Sequence, residues 1–313
     1  MSVILVHGSV ETKTDPPYML GLEAAALTAY QELARGHDRL TAAEKAVNEL
    51  ENNPLYNAGL GSVLNRDGYV EVDGAIMDGV TGKFAAVAAM QEVRHAVSVA
   101  RKVMEESRHV VLAGTGATLF AREHGFSADN CITAVQLASW ETAIHLKRSG
   151  KEVEFSAFTG LIKESDTVGC VLLDDHGGLA AASSTGGSFL KLPGRVGDTP
   201  YIGGGIFASS YCAVVCTGRG EAFISTLTAK FVEEEIKSGS HPQEAATKAI
   251  HRLHRLTGEF GGILVVDSSG RAAAVHNCVS FPVAMIRNGI LEQVPLVQLP
   301  SHNTDTFETS DVT

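Results

Sequence analysis

Asp166-Thr167-Val168-Gly169-Cys170-Val171-Leu172-Leu173 puts a threonine at the mouth of an apolar run. Asp174-Asp175-His176-Gly177-Gly178 interrupts that run, and a second one follows from Leu179 to Ser183. Two short apolar segments joined by a glycine-containing turn predict a β-hairpin. A β-branched residue at a strand start fits the pleat without further explanation. Taken alone, Thr167 reads as an ordinary strand residue.

The neighbouring segments change that reading. Ser183-Ser184-Thr185-Gly186-Gly187 closes the hairpin, followed by Gly194-Arg195-Val196-Gly197-Asp198-Thr199-Pro200 and Cys216-Thr217-Gly218-Arg219-Gly220-Glu221. Val6-His7-Gly8 stands near the start, and LENNPLYNAGLGSVL runs from Leu50 to Leu64. As an ordered set these motifs resemble the plant-type L-asparaginases, or isoaspartyl aminopeptidases (β-aspartyl-peptidases), which are N-terminal-nucleophile (Ntn) hydrolases. The resemblance covers nearly the whole chain outside the stretch before Thr167. It implies an α+β fold, a four-layer αββα sandwich, over one domain spanning 1–313.

Composition sets the outer bounds. The 313 residues could hold two average domains or one large unit. An apolar content of 44% with 19% charged residues supports a substantial core and argues against general disorder. A net charge of −11 disfavours nucleic acid or an anionic membrane as partner, and leaves a small-molecule substrate open. No stretch approaches the roughly 18–20 apolar residues of a membrane span. The first seven residues lack a basic region and read as a buried strand, not a signal peptide. Cys131, Cys170, Cys212, Cys216 and Cys278 are odd in number and lack a CxxC spacing, so buried free thiols and a cytoplasmic setting are expected.

In chain order, a helix is expected over 18–35, ended by Gly36 in a left-handed C-cap. Thr41 and Glu44 have capping-box spacing ahead of an apolar face of Ala43, Ala46, Val47 and Leu50. Strands at 69–77 and 84–91, a helix at 95–107, a strand at 110–113 and a short helix at 115–123 show no regular βαβ repeat. The variable linker, 127–166, carries Trp140 and the patch Lys147-Arg148-Ser149-Gly150-Lys151-Glu152. Helical pieces are expected before Gly150, with Trp140, Phe155, Phe158 and Leu161 able to pack on the body. After the hairpin come a glycine-rich loop, a strand at 212–216, helices at 221–237 and 242–256, and strands at 263–266, 272–276 and 283–287. Turns are expected at Ser268-Ser269-Gly270 and Asn288-Gly289.

A threonine hydroxyl is a weak nucleophile that needs a base beside it. If the Asp166–Thr167 bond is cut, the freed α-amine, with a reference pKa of about 7.7–8.0, becomes that base on the same residue. The resemblance implies this cut as an autocatalytic step, leaving 1–166 as an α chain and 167–313 as a β chain. It also implies roles for individual residues. Thr185 orients the nucleophile, Thr217 and Gly218 supply oxyanion donors, and Asn57 lies close by. Arg195 takes a substrate α-carboxylate and Asp198 an α-ammonium, with Gly218 and Gly220 in the same binding segment. A surface ion pair is the bland reading of Arg195 and Asp198 from spacing alone. The activity implied is hydrolysis of L-asparagine to aspartate and ammonia, and of β-aspartyl dipeptides.

No catalytic cofactor is expected. A structural sodium, held by main-chain carbonyls at Leu50, Glu51, Asn53, Tyr56, Ala58 and Leu60, and a homodimer of αβ units are implied by resemblance only. Two departures stand out. The family has His-Gly-Gly where this chain has His7-Gly8-Ser9, and losing a glycine restricts φ/ψ, which slows self-cleavage or makes it need an activator. Asp166 before the nucleophile looks more like the related glycosylasparaginases. A threonine endopeptidase relative and a non-cleaving pseudo-enzyme scaffold also compete with the asparaginase reading.

Overall fold

The computed structural model describes residues 1–10, 13–150 and 167–300. Asp166, Phe155, Phe158, Leu161 and the tail from Ser301 lie outside the described residues. The first half contains β1 (Val3–His7), α1 (Pro16–Ala34), α2 (Arg39–Asn52), β2 (Val72–Asp78), β3 (Phe84–Met90) and α3 (Ala96–Glu106). It continues through β4 (Val111–Ala113), α4 (Gly114–Glu123) and α5 (Ala134–Arg148). The second half opens with β5 (Thr167–Leu173), β6 (Leu179–Thr185), β7 (Ile206–Ala208) and β8 (Cys212–Gly218). Then follow α6 (Gly220–Thr226), α7 (Thr228–Lys237), α8 (Pro242–Thr257), β9 (Gly261–Asp267) and β10 (Ala272–His276). Three short strands, β11 (Val283–Arg287), β12 (Ile290–Glu292) and β13 (Leu296–Gln298), finish it.

These strands form two sheets, in the orders β12-β11-β1-β5-β6-β2-β3-β4 and β13-β10-β9-β8-β7. Alternation along each strand assigns the layers. Ile4 and Val6 of β1, with Val168, Cys170 and Leu172 of β5, pack against Leu22, Ala46 and Leu50 of α1 and α2. Val3, Leu5, Val171 and Leu173 instead meet Val215, Leu264 and Val266 of the second sheet. Cys212, Val214 and Cys216 on the far face of β8 pack against Val232 of α7 and Ala246 and Ile250 of α8. The order is helix, sheet, sheet, helix, the expected αββα sandwich. Strands covered on both faces read as continuous apolar runs, which is how β1 and β5 appear in the sequence.

The β5–β6 hairpin forms as expected, and its turn is built by Asp174. That carboxylate accepts the backbone N–H groups of His176 at 2.9 Å and Gly178 at 2.7 Å. Two expectations need correction. The helix at 221–237 is two helices, broken at Leu227, whose φ of 48° is left-handed. The cap of α2 is Asp38, which accepts Thr41 N–H at 2.7 Å, while Glu44 turns to Ser98 and Arg101. An Asp three residues ahead of Thr41 competes for the same backbone donor and starts the helix one turn earlier. The capping box that does form is His241 with Glu244, at the start of α8. The five cysteines are all free thiols, four of them buried.

Candidate active site

Strand parity brings three threonines into one place. Val168 and Cys170 face the helices, so Thr167 points between the sheets. Thr185 is its direct cross-strand partner and shares that face. On β8, Ala213 and Val215 face the first sheet, which sends Thr217 inwards too. Ser188, just past Thr185, and Gly218, just past Thr217, line a common cavity of about 410 Å³, so the strand ends converge. Thr167, Thr185 and Thr217 are all buried.

Each is held by its neighbours. Ser184, on the opposite face of β6 from Thr185, donates to the buried Glu51 at 2.6 Å, and Glu51 also accepts Val97 N–H at 3.2 Å. Burial pushes the Glu51 carboxyl up to about 7 against those hydrogen bonds, so this tie between α2, α3 and β6 carries a titratable group. After Thr185 the chain turns through Gly186 and Gly187, and Gly187 N–H donates to Thr185 Oγ1 at 3.0 Å. Asn57 braces this turn from outside. Its Nδ2 donates to Gly187 O at 2.7 Å, its Oδ1 accepts Val63 N–H at 2.9 Å, and its carbonyl accepts Gly186 N–H at 2.8 Å. A Cβ on residue 186 would stand 2.2 Å from Asn57 Oδ1, so only glycine permits the turn to close on Asn57. Thr217 Oγ1 is buried with no hydrogen-bond partner, an expensive state for a hydroxyl unless something else comes to meet it. Gly218 adopts φ 142°, in the region that favours glycine.

Arg195 and Asp198 sit on a loop anchored from beneath by β2 and the residue preceding it. Glu71 accepts Gly194 N–H through both oxygens at 3.0 and 3.1 Å. Asp73, cross-strand from Thr185, receives Ala89 N–H at 2.7 Å and lies 3.5 Å from Gly197 N. Between them Lys191 Nζ donates to Glu71 O at 2.9 Å. Burial lowers the Lys191 pKa while Asp73 and Glu71 oppose the shift, and burial raises that of Asp73. Sequence motifs assign no role to these three residues. Alternating acids inside an apolar strand (Val70-Glu71-Val72-Asp73) are the signal that could have found them.

Asp198 is 3% exposed and one carboxylate oxygen, Oδ2, has no partner. Burial pushes its pKa to about 7 despite the pull of the nearby Arg195 charge. Gly220 packs against it, where a Cβ would lie 2.8 Å from Asp198 N. Arg195 is not an isolated fork. Its Nε and Nη2 already hold Glu221 at 2.9 and 2.8 Å. Burial works against the Arg195 charge, but the Glu221 hydrogen bonds more than compensate and raise its pKa. Glu221 closes the Thr217–Glu221 motif, in which roles were expected only of its neighbours.

Leu50, Glu51, Asn53, Tyr56, Ala58 and Leu60 lie along the end of α2 and the turn after it, as far as the short 3-10 turn Gly59–Gly61. The Leu50, Asn53 and Ala58 carbonyls each accept one backbone N–H at 3.2–3.3 Å, and a carbonyl has a second lone pair to offer. Among the described residues no group of three or more His, Cys, Asp or Glu side chains is placed to hold a metal. No helix among them is long and apolar enough to cross a membrane.

The sequence profile of the family described as Asparaginase matches residues 2–294. The chain belongs to that family. This asparaginase-family chain is 40% identical over 303 residues to the plant-type L-asparaginase of Thermococcus kodakarensis, covering 93% of this chain and 98% of that one. It is 36% identical over 310 residues to the isoaspartyl peptidase/L-asparaginase of Rattus norvegicus, covering 97% and 92% of the two chains. The Xenopus laevis protein of the same description is 37% identical over 275 residues, 86% of each. The asparaginase match includes every segment on which the resemblance rested, from Val6 to Glu221.

Proposed function

We propose that this protein is a threonine-nucleophile amidohydrolase acting on L-asparagine and on β-aspartyl dipeptides, matured by cleavage of its own Asp166–Thr167 bond. The observation that carries the reading is the convergence of Thr167, Thr185 and Thr217 on the inner face beside Asp198, whose buried oxygen has no partner. A buried carboxylate oxygen without a partner is a place prepared for a cation. A substrate α-ammonium supplies one.

On this reading the Thr167 α-amine takes the proton from its own hydroxyl as Oγ1 attacks the substrate amide carbon. The Thr217 hydroxyl and Gly218 N–H receive the developing oxyanion, and the unpartnered state of Thr217 Oγ1 fits a donor kept for the transition state. The tetrahedral adduct collapses, the C–N bond breaks, and the ammonia or amine leaves with the proton. Water then attacks the Thr167 ester, and aspartate leaves as the amine-bearing nucleophile is restored. Glu221 presets the Arg195 guanidinium, so the substrate carboxylate meets its remaining N–H groups, chiefly Nη1. The bidentate grip expected of a free fork would require Glu221 to move aside. A main-chain sodium site at the Leu50–Leu60 carbonyls and a dimer of two-chain units belong to the same reading.

The test is the intact mass of the purified protein after incubation, with Thr167→Ala alongside. Two fragments meeting at residues 166 and 167 in the wild type, one uncut chain in the variant, and asparagine hydrolysis only by the cut form are expected. An uncut wild type that is fully active would overturn the proposal.

A further inference from the structure

The cavity beside Arg195 extends past what asparagine needs. Its volume of about 410 Å³ equals roughly fourteen waters at about 30 Å³ each. Arg195, Glu221 and Lys191 line it and fit an amino-acid head. Gly218, Val10, Phe260 and the ion pair of Arg219 with Glu259 at 2.7 Å line the same cavity. With asparagine the group leaving at Gly218 is ammonia, and nothing beyond that point would be touched. A β-aspartyl dipeptide continues through N and Cα to a second carboxylate, about one residue length further on.

Arg219 is placed to meet it. Its Cα is about 3.8 Å from that of Gly218, within one side-chain length of any group leaving the oxyanion site. The Arg219 side chain is 64% exposed and bonds Glu259 through Nη1 alone. A solvent-exposed pair of this kind is worth little, so exchanging Glu259 for an incoming carboxylate costs little. A guanidinium offers a planar fork matched to a carboxylate, and Phe260, 38% exposed at the rim, offers an apolar surface beside it.

We propose that Arg219 recognises the free α-carboxylate of the leaving residue of a β-aspartyl dipeptide, with Phe260 and Val10 beside that residue's side chain. This subsite makes the dipeptide the preferred substrate over asparagine. The proposal rests on the reading of the site given above and adds a specificity residue to it.

Steady-state kinetics on three substrates test it: β-aspartyl-leucine, its C-terminal amide and L-asparagine, with wild type, Arg219→Ala, Arg219→Lys and Glu259→Gln. Arg219→Ala lowers the dipeptide-to-asparagine ratio of kcat/KM about tenfold, mainly through KM, and brings the acid-to-amide ratio close to unity. Arg219→Lys keeps part of both preferences. Glu259→Gln frees the guanidinium and lowers KM for the acid, whereas a purely structural ion pair would lose activity on every substrate alike. Unchanged ratios in Arg219→Ala, or equal losses on the acid and the amide, overturn the proposal. A wild type that cleaves none of the three overturns the function proposed for the site together with it.

Discussion

Replacing Asp198 by Asn should stabilise the protein, and by an amount that grows with pH. The carboxyl is 3% exposed, lacks a partner at Oδ2, and titrates at about 7 instead of its ordinary 3.8. A carboxyl whose pKa is higher in the folded than in the unfolded chain binds its proton more tightly when folded. Its ionisation therefore drains stability as pH climbs from about 4 to about 7, and the loss is complete above that. At about 1.4 kcal/mol per pKa unit, the cost is about 2 kcal/mol at pH 5 and about 4 kcal/mol at pH 8. Asparagine is nearly isosteric and does not titrate. The advantage of Asp198→Asn should thus widen by about 2 to 3 kcal/mol between those pH values. With an unfolding entropy of about 2.1 cal/mol/K per residue, that is about 4 °C in Tm for a chain of this length. Thermal melts at pH 5 and 8, both proteins in a Thr167→Ala background so that each keeps one covalent form, read the difference. A gap that does not change with pH would refute the reasoning, and one that narrows would mean Arg195 already holds Asp198 as a paired carboxylate. Saturating L-aspartate should raise the wild-type midpoint and leave that of Asp198→Asn where it was.

Three further outcomes are expected. Thr217→Val removes a hydroxyl that has no partner, so Tm should hold or rise slightly while kcat falls about a hundredfold; a kcat within about threefold of wild type would remove Thr217 from the oxyanion site. Lys191→Met strips the ammonium from between Glu71 and Asp73 and should cost about 3 kcal/mol, read as a drop in Tm of about 5 °C; an unchanged melt would mean Asp73 is neutral without it. Ser9 is buried with φ 92°, a strain of about 1–2 kcal/mol for a residue with a Cβ. Ser9→Gly should leave the midpoint level or higher and Ser9→Val should lower it by about 3 °C or more, and a clear loss with glycine would show that the serine contacts outweigh the strain.

The layers were legible because burial on two faces and alternation leave marks that survive without coordinates. The unbroken apolar runs at Val3–Val6 and Val168–Leu173 mark strands covered on both sides, and among the described residues ten of the 13 strands answer to expected ones, the three-residue β7, β12 and β13 being additions. Local competition was less legible. Thr41 with Glu44 has capping-box spacing, but Asp38 takes the same backbone donor first. Nothing in Glu221 to Lys237 marks the break at Leu227, where the chain takes a left-handed turn to lay α7 against β7 and β8 while α6 packs on α8. Apolar pattern records which face is buried; it does not record where a helix must bend to keep both halves on one sheet.

The candidate site divides along the same line. Thr167, Thr185 and Thr217 could be read from motif and then placed by parity, since all three sit an even number of residues from inward-facing apolar neighbours. Glu71 and Asp73 show only as acids in an apolar run, and Glu221 and Lys191 carry no mark at all, because what makes them matter is a partner more than twenty residues away. Glu221 meets Arg195, and Glu71 meets Gly194 N–H. Long-range pairing of charges also explains why the bland reading of Arg195 and Asp198 fails. Three residues apart on a loop, they look able to neutralise one another. In the fold Arg195 turns to Glu221 while Asp198 is left with an unsatisfied oxygen. A protein built only for stability would place the guanidinium on the buried carboxylate and leave Glu221 to the solvent. The opposite choice keeps a negative group unpaired in the interior at a standing cost of several kcal/mol above pH 7. On the proposed reading, the α-ammonium of a bound substrate offsets that cost.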